Sequence, residues 1–110
     1  MQTHNRFTAS AGAWLAALTL LALSPVATAS GGDPAAAVSK VGTCVACHGA
    51  DGIGKAPQYP NLQGQKATYI EKQLKAFRSG DRKDTNMNAI AKPLSDADIA
   101  NLAAYFEKVQ

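Results

Sequence analysis

The sequence predicts a small all-α protein, and three observations support this fold class. Two segments repeat their apolar residues at spacings of three and four, the period of an α-helix with one buried face. Residues suited to helix starts and ends flank these segments. No segment of useful length alternates apolar and polar residues as a half-buried strand does. We therefore expect three main helices and a short one.

The first part of the chain differs in character from the rest. Residues 1–7 carry basic side chains and no acid, residues 11–23 form an apolar run, and small residues end at Ala29. This layout is typical of a secretory signal peptide. An uncleaved membrane anchor is the alternative, but a spanning helix needs about 20 apolar residues, more than this run supplies. We expect a signal peptide over residues 1–29 and one domain over residues 30–110.

The domain opens with a helix and continues into a long loop. Asp33 can cap the first helix, Pro34 suits its first position, and the helical pattern reaches Cys44 and ends at the cysteines. Residues 49–64 are rich in Gly, Pro and Asn and show little periodicity, which predicts an irregular loop. Long loops in small domains are usually functional or disordered, and wrapping around a bound group would explain this one.

Two main helices and a short helical segment are expected after the loop. Residues 66–79 repeat apolar side chains at helical spacing, and Gly80 stands where a helix C-terminus favours glycine. Residues 88–91 are expected to form a turn or two of helix before Pro93. Ser95 begins the last helix with a capping-box arrangement toward a carboxylate three residues on. Its apolar stripe consists of Ile99, Leu102, Ala103, Phe106 and Val109.

Size and charge limit the classes of function. The chain has 11 Lys and Arg against 8 Asp and Glu, a net charge of +3, and no basic stripe of the kind that nucleic-acid binding requires. A domain of this size buries a modest core and commonly needs a further staple. A disulfide between Cys44 and Cys47 would close a very short loop and stabilise little. A large apolar cofactor fixed covalently to the chain would stabilise more.

Residues 44–48 read Cys-Val-Ala-Cys-His, the attachment pattern of c-type haem. Two thiols at this spacing can add to the two vinyl groups of neighbouring pyrrole rings, and the next histidine is then placed to ligate the iron. The expected signal peptide is consistent with this prediction, because c-type haem is attached outside the cytoplasm. The sequence thus predicts one covalent, iron-containing haem c on Cys44 and Cys47, with His48 as an axial ligand.

Two other sites use similar residues. A disulfide or thioredoxin-like thiol pair is expected beside a βαβ pattern, which this sequence lacks. Structural zinc sites need four Cys or His ligands, and residues 30–110 supply three.

On the second face of the iron, the residues leave three options: an open position, an unusual ligand such as lysine, or Met87. Core filling is the ordinary role of methionine, but His/Met ligation is a standard cytochrome c arrangement, so we favour ligation.

Four segments resemble the class I cytochromes c, especially the short bacterial periplasmic types called c-four and c-five. They read CVACHG, YPNLQGQ, YIEKQLKAFRSG and MNAIAKPLSDADIANLAAYF, in the family's order, and the resemblance covers residues 34–109. The second cysteine pair typical of the c-five type is absent. The c-four proteins usually carry two such domains, whereas this chain carries one.

The resemblance implies a class I cytochrome c fold, with the helices wrapped around a covalently bound haem. It implies Met87 as the second axial ligand, the backbone carbonyl of Pro60 as the acceptor of the His48 ring N–H, and Leu62 against the haem. It also implies that the terminal helices cross near Gly42, where Tyr105 or Phe106 approaches. The apolar candidates for the haem pocket are Leu62, Leu74, Phe77, Leu94, Ile99 and Leu102.

The expected function is that of a periplasmic one-electron carrier rather than an enzyme, because protein ligands on both faces leave the iron no vacancy. Its partners are expected to be periplasmic or membrane-bound redox proteins, such as an oxidase or a dehydrogenase, with no nucleic acid and no membrane insertion after cleavage. One alternative is a cytochrome subunit of a dehydrogenase or oxidase complex. The other is a haem enzyme or gas sensor with an open sixth site. Lys55 and Lys92 are candidates for steering an acidic partner.

Overall fold

The computed structural model describes residues 31–110, and within them the chain is helical with no strand. The expected signal peptide lies outside the described residues. The all-α prediction is confirmed, with two long and two short α-helices after a short 3-10 helix. The elements are the 3-10 helix Ala36–Ser39, α1 Gly42–His48, α2 Ala67–Ser79, α3 Thr85–Ala91 and α4 Asp96–Lys108. None of these helices is long and apolar enough to cross a bilayer.

The N-terminal helix is shorter and less regular than expected. Its first turn is the 3-10 helix, and α1 starts at Gly42 and runs through both cysteines instead of ending at them. Ser39 and Thr43 donate their hydroxyl protons to carbonyls three residues back, which competes with the regular ladder. Valine and glycine nearby also lower helix propensity. The cysteines therefore lie on a helix.

The two long helices, α2 and α4, pack against each other and form the core. Ile70 from α2 meets Ala103 and Phe106 from α4, with partly buried apolar residues around them. Each buried side chain of this size stabilises the fold by about 1.5–3 kcal/mol relative to exposure. Gly80 ends α2 at a φ of 85°, as expected of a glycine at this position.

The start of α4 is fixed by side-chain caps. The Ser95 hydroxyl accepts from the Asp98 N–H and the Asp98 carboxylate accepts from the Ser95 N–H, so the predicted capping box is present. Arg78 of α2 reaches the same end, donating to the Leu94 carbonyl at 2.9 Å and to Asp96 at 2.6 Å. These bonds hold the linker before α4 against α2.

The loop between α1 and α2 is closed by its own backbone. The Gly52 carbonyl accepts from the N–H groups of Leu62 and Gln63, at 2.7 and 3.0 Å. Gly52 has a φ of 75°, and a Cβ built there would lie 2.5 Å from the Gln63 nitrogen. Only glycine fits this position without displacing backbone.

The expected close contact at Gly42 is wrong. A Cβ on Gly42 would meet no atom within 4 Å, and the residue is exposed. The close approach to α4 occurs instead at Gly32, where a Cβ would overlap the Ala100 backbone. Because Gly32 precedes the 3-10 helix, this contact does not come from two crossing helices, and the expected crossing of the terminal helices does not predict it.

Candidate functional site

Helix α1 presents its two thiols and its histidine to one cavity. Cys44, Cys47 and His48 are spaced three and four residues apart, which places them along one side of a helix. All three line the same recess. His48 is buried, with 8% of its surface exposed, and both cysteines are partly buried. The sequence motif is therefore also a spatial cluster.

The ring of His48 is oriented by the loop. Its Nδ1 lies 2.8 Å from the carbonyl oxygen of Pro60. A carbonyl can only accept, so Nδ1 carries the proton and Nε2 keeps its lone pair. A hydrogen bond of this kind fixes the orientation of a ligating histidine and raises its basicity.

The Cys44 thiol does not have the lowered pKa of a redox-active cysteine. Burial raises the pKa of the Cys44 thiol above its ordinary value, and a backbone hydrogen bond opposes this rise more weakly. Reactive cysteines in thioredoxin-like sites have lowered pKa values, because the thiolate is the nucleophile. Within residues 31–110 no group of three or more His, Cys, Asp or Glu side chains is arranged to hold a metal ion.

The cavity is mainly apolar and is enclosed by every α-helix of the described chain and by the loop. The space inside it is about 170 Å³ and opens to solvent. A neighbouring recess shares His48, Leu62, Ile70, Leu74 and Met87 as walls and extends toward Pro60 and Phe77. A large apolar group beside two thiols and a histidine fits these walls.

Four of the six expected pocket residues line these recesses: Leu62, Leu74, Phe77 and Leu102. Leu94 and Ile99 do not line them. Ile99 is fully buried in the protein interior instead. The apolar face of α4 contributes residues both to the cavity and to the core. Ile70 and Ile90 line the cavity although they were not among the candidates. The helical spacing of Ile70 already placed it on the buried face.

Helix α3 brings Met87 to the wall of the same cavity, although Met87 is far from the cysteine motif in the sequence. This helix begins at Thr85, before Met87, rather than after it. Its N-cap is Asp84, whose carboxylate accepts from the N–H groups of Asn86 and Met87, at 2.9 and 2.8 Å. Aspartate is a favoured N-cap, so this signal was present in the sequence.

The two lysines considered for docking do not line these walls. Lys55 and Lys92 are exposed, and neither lines the recesses that contain His48 and Met87. Lys55 is nevertheless next to the cysteine motif, because its backbone N–H donates to the Cys47 carbonyl at 2.9 Å. Tyr105 also has a structural contact, since its hydroxyl donates to the Ala50 carbonyl at 2.9 Å.

Comparison with known proteins places this arrangement in a family. The family model of cytochrome c matches residues 35–110. Cytochrome c-554(548) of Halomonas halodenitrificans is 59% identical over 78 residues, covering 68% of this chain and 94% of that protein. The thiosulfate dehydrogenase electron acceptor of Thiomonas intermedia is 43% identical over 97 residues, covering 87% of this chain and 43% of that protein.

A solved structure agrees with the sequence matches. Reduced recombinant cytochrome c4 from Pseudomonas stutzeri superposes with a TM-score of 0.67 at 40% identity, over 72% of this chain and 46% of that chain. The chain thus spans less than half the length of this protein and of the Thiomonas relative. The matched family carries covalently attached haem c, and Cys44 and Cys47 have the spacing that such a site requires. The chain belongs to the cytochrome c family of electron-transfer proteins.

Proposed function

We propose that this protein is a periplasmic one-electron carrier whose single haem is attached to Cys44 and Cys47 and ligated by His48 and Met87. The observation that carries the proposal is the placement of these four side chains around one apolar cavity. Each thiol would add across one vinyl group of the haem, so that a carbon–sulfur bond forms while the thiol hydrogen passes to the other vinyl carbon. This addition needs no oxidant.

The residues of the chain then hold the haem and tune it. The Pro60 carbonyl keeps the proton of His48 on Nδ1, so that the Nε2 lone pair would be available to bind the iron. Leu62, Leu74 and Leu102 exclude water from the cavity. An apolar surrounding and a methionine ligand both favour the reduced iron, because they disfavour the extra charge of the oxidised form. The bound haem supplies reversible exchange of one electron between ferric and ferrous iron.

Export to the periplasm is part of the proposal and rests on the pattern of residues 1–29. An N-terminal sequence of the protein purified from the periplasm should begin at Ser30. A protein retained in the membrane fraction with its leader intact would contradict export as a free carrier.

The partner we propose is a periplasmic dehydrogenase that delivers one electron at a time. This follows from the similarity to a thiosulfate dehydrogenase electron acceptor. The test mixes the oxidised protein with a purified dehydrogenase and its substrate and follows haem reduction by absorbance. Reduction without stable co-purification supports a free carrier, whereas a fixed stoichiometric complex supports the subunit alternative.

The ligand proposal is tested by Met87→Ala. The ferric wild type should show the near-infrared methionine-to-iron band and its ferrous form should not bind carbon monoxide rapidly. The variant should lose the band, bind carbon monoxide promptly and have a reduction potential lower by on the order of 0.1 V, a modest part of the about 0.8 V that axial ligands span.

The matched control is Ile90→Ala, because Ile90 lies on the same helix and lines the same cavity but cannot ligate iron. It should keep the band and stay closed to carbon monoxide. An unchanged spectrum and potential in Met87→Ala would refute the ligand assignment. Prompt carbon monoxide binding by the wild type would favour the gas-binding alternative.

A further inference from the structure

We propose that Asn88 is a positioning residue that holds Met87 at the haem iron. This inference rests on the proposed function, because it takes Met87 as a ligand. Asn88 follows Met87 in α3, is partly buried, and uses its side-chain amide in three hydrogen bonds to backbone groups.

The amide nitrogen of Asn88 joins α3 to the end of α2. It donates to the Phe77 carbonyl at 2.7 Å and to the Arg82 carbonyl at 2.8 Å. The Phe77 carbonyl also accepts the Gly80 N–H, at 3.3 Å, so Asn88 adds a second and shorter bond to the end of α2 and also bonds to the linker that follows it.

The amide oxygen of Asn88 fixes the start of its own helix. It accepts from the Asp84 N–H at 2.8 Å, and the Asp84 carboxylate in turn accepts from the Met87 N–H at 2.8 Å. The backbone of Met87 is therefore held through Asp84, and the position of Asp84 is held by Asn88.

Other side chains of α3 do not share this role. Within residues 31–110, Asn88 is the α3 side chain that hydrogen-bonds outside its helix. The linker residues Asp81, Arg82 and Lys83 are exposed, and exposed linkers adopt alternative conformations readily. Loss of the Asn88 amide would remove its bonds to the linker before α3 and to the N-cap of the helix that carries Met87.

The expected consequence is easier displacement of Met87 by an added ligand. Outer partners of metal ligands typically change metal-site affinity by 10–100-fold when they are removed. Asn88→Ala should therefore lower the apparent dissociation constant of imidazole for the ferric haem by about tenfold. The near-infrared methionine band should weaken in the same variant.

The experiment compares exported holoproteins of the wild type, Asn88→Ala and Asn101→Ala. Asn101 is the matched control, since it is also a partly buried asparagine and accepts a long-range backbone hydrogen bond, from the Asp33 N–H at 2.8 Å, but belongs to α4 rather than α3. Imidazole titration and the near-infrared band are measured for each protein, with far-UV circular dichroism to report the fold.

The proposal is supported when Asn88→Ala alone shows tighter imidazole binding and a weaker band. It is overturned when Asn88→Ala matches the wild type, or when both variants shift equally. If Asn88→Ala does not accumulate with haem, Asn88→Ser is judged by the same criteria, because its short hydroxyl cannot span both carbonyls. A wild type without the methionine band would refute the proposed ligation itself, before any variant is compared.

Discussion

The two sides of the cavity are built in different ways. On the cysteine side, five consecutive residues on α1 supply two thiols and a histidine, and one hydrogen bond from the loop orients the ring. On the methionine side, Met87 is held by side-chain-to-backbone bonds that join the end of α2, a polar linker and α3. The first arrangement is local in sequence, whereas the second depends on tertiary structure.

This difference indicates which side can vary. A covalent anchor with an adjacent histidine holds its geometry as long as α1 forms. The methionine side depends on several hydrogen bonds, each of which contributes about 0.5–1.5 kcal/mol, so small changes in these bonds alter it. We expect substitutions on the cysteine side to affect whether haem is present, and those on the methionine side to affect how the iron is ligated.

The largest effect is expected from replacing both cysteines. A Cys44→Ser and Cys47→Ser double variant cannot form thioethers, because a hydroxyl is a much poorer nucleophile than a thiol. Mass spectrometry of the exported protein should show no covalent haem. The control is Ala46→Ser, an exposed change within the same motif, which should keep the full haem adduct. A haem-mass adduct on the double variant would contradict the attachment sites.

A second prediction separates the core from the cavity. Ile99 is fully buried but lies outside the cavity walls, whereas Leu62 lines them. Ile99→Ala should lower the free energy of unfolding by about 2–5 kcal/mol in a denaturant titration without moving the reduction potential. Leu62→Ala should shift the potential because it admits water beside the haem. Equal shifts of potential in both variants would contradict the placement of Ile99.

A smaller effect is expected at the start of α4. Ser95→Ala removes the hydroxyl that accepts from the Asp98 N–H and should cost about 1 kcal/mol of unfolding free energy. Ser39→Ala removes a longer bond of 3.4 Å at an exposed position and serves as the control. The methionine band should be unchanged in both, because neither side chain hydrogen-bonds to α3. A loss of the band in Ser95→Ala would show that the two regions are coupled.

The smallest effect concerns acid. Backbone and side-chain hydrogen bonds from Ser95 hold the pKa of Asp98 below its ordinary value of 3.8. Because the folded pKa is the lower one, this contribution to stability is present above pH 3.8 and is lost as the pH falls through the folded pKa. Thermal unfolding from about pH 6 to about pH 3 should show a steeper loss for the wild type than for Asp98→Asn. Equal slopes would contradict the prediction.

Much of the fold was predictable because its signals are local. The spacing of apolar residues predicted α2, and Ser95 with Asp98 predicted the start of α4. The N-terminal helix was predicted to be more regular than it is, since the sequence gives only a weak indication of side-chain hydroxyls that bond back to the backbone. The predicted contact at Gly42 was wrong because the sequence does not reveal which glycine another segment approaches closely.

The site divides in the same way. The proximity of the two thiols and His48 was predictable because these residues are neighbours in the chain. The Asp84 cap could have been recognised from its residue type, but the Asn88 bonds join groups 6 and 11 residues apart and depend on how the linker folds. Ile99 was assigned to the pocket because periodicity identifies a buried face without separating a core from a cavity.

The backbone closure at Gly52 has a consequence for the speed of electron transfer. Two N–H groups converge on its carbonyl, so the two ends of the loop that carries Pro60 are tied together. Dipoles already fixed in place need little rearrangement as charge moves. With a carrier of this design, the nuclear reorganisation that accompanies each oxidation and reduction stays small, and a single glycine in a loop helps to keep it so.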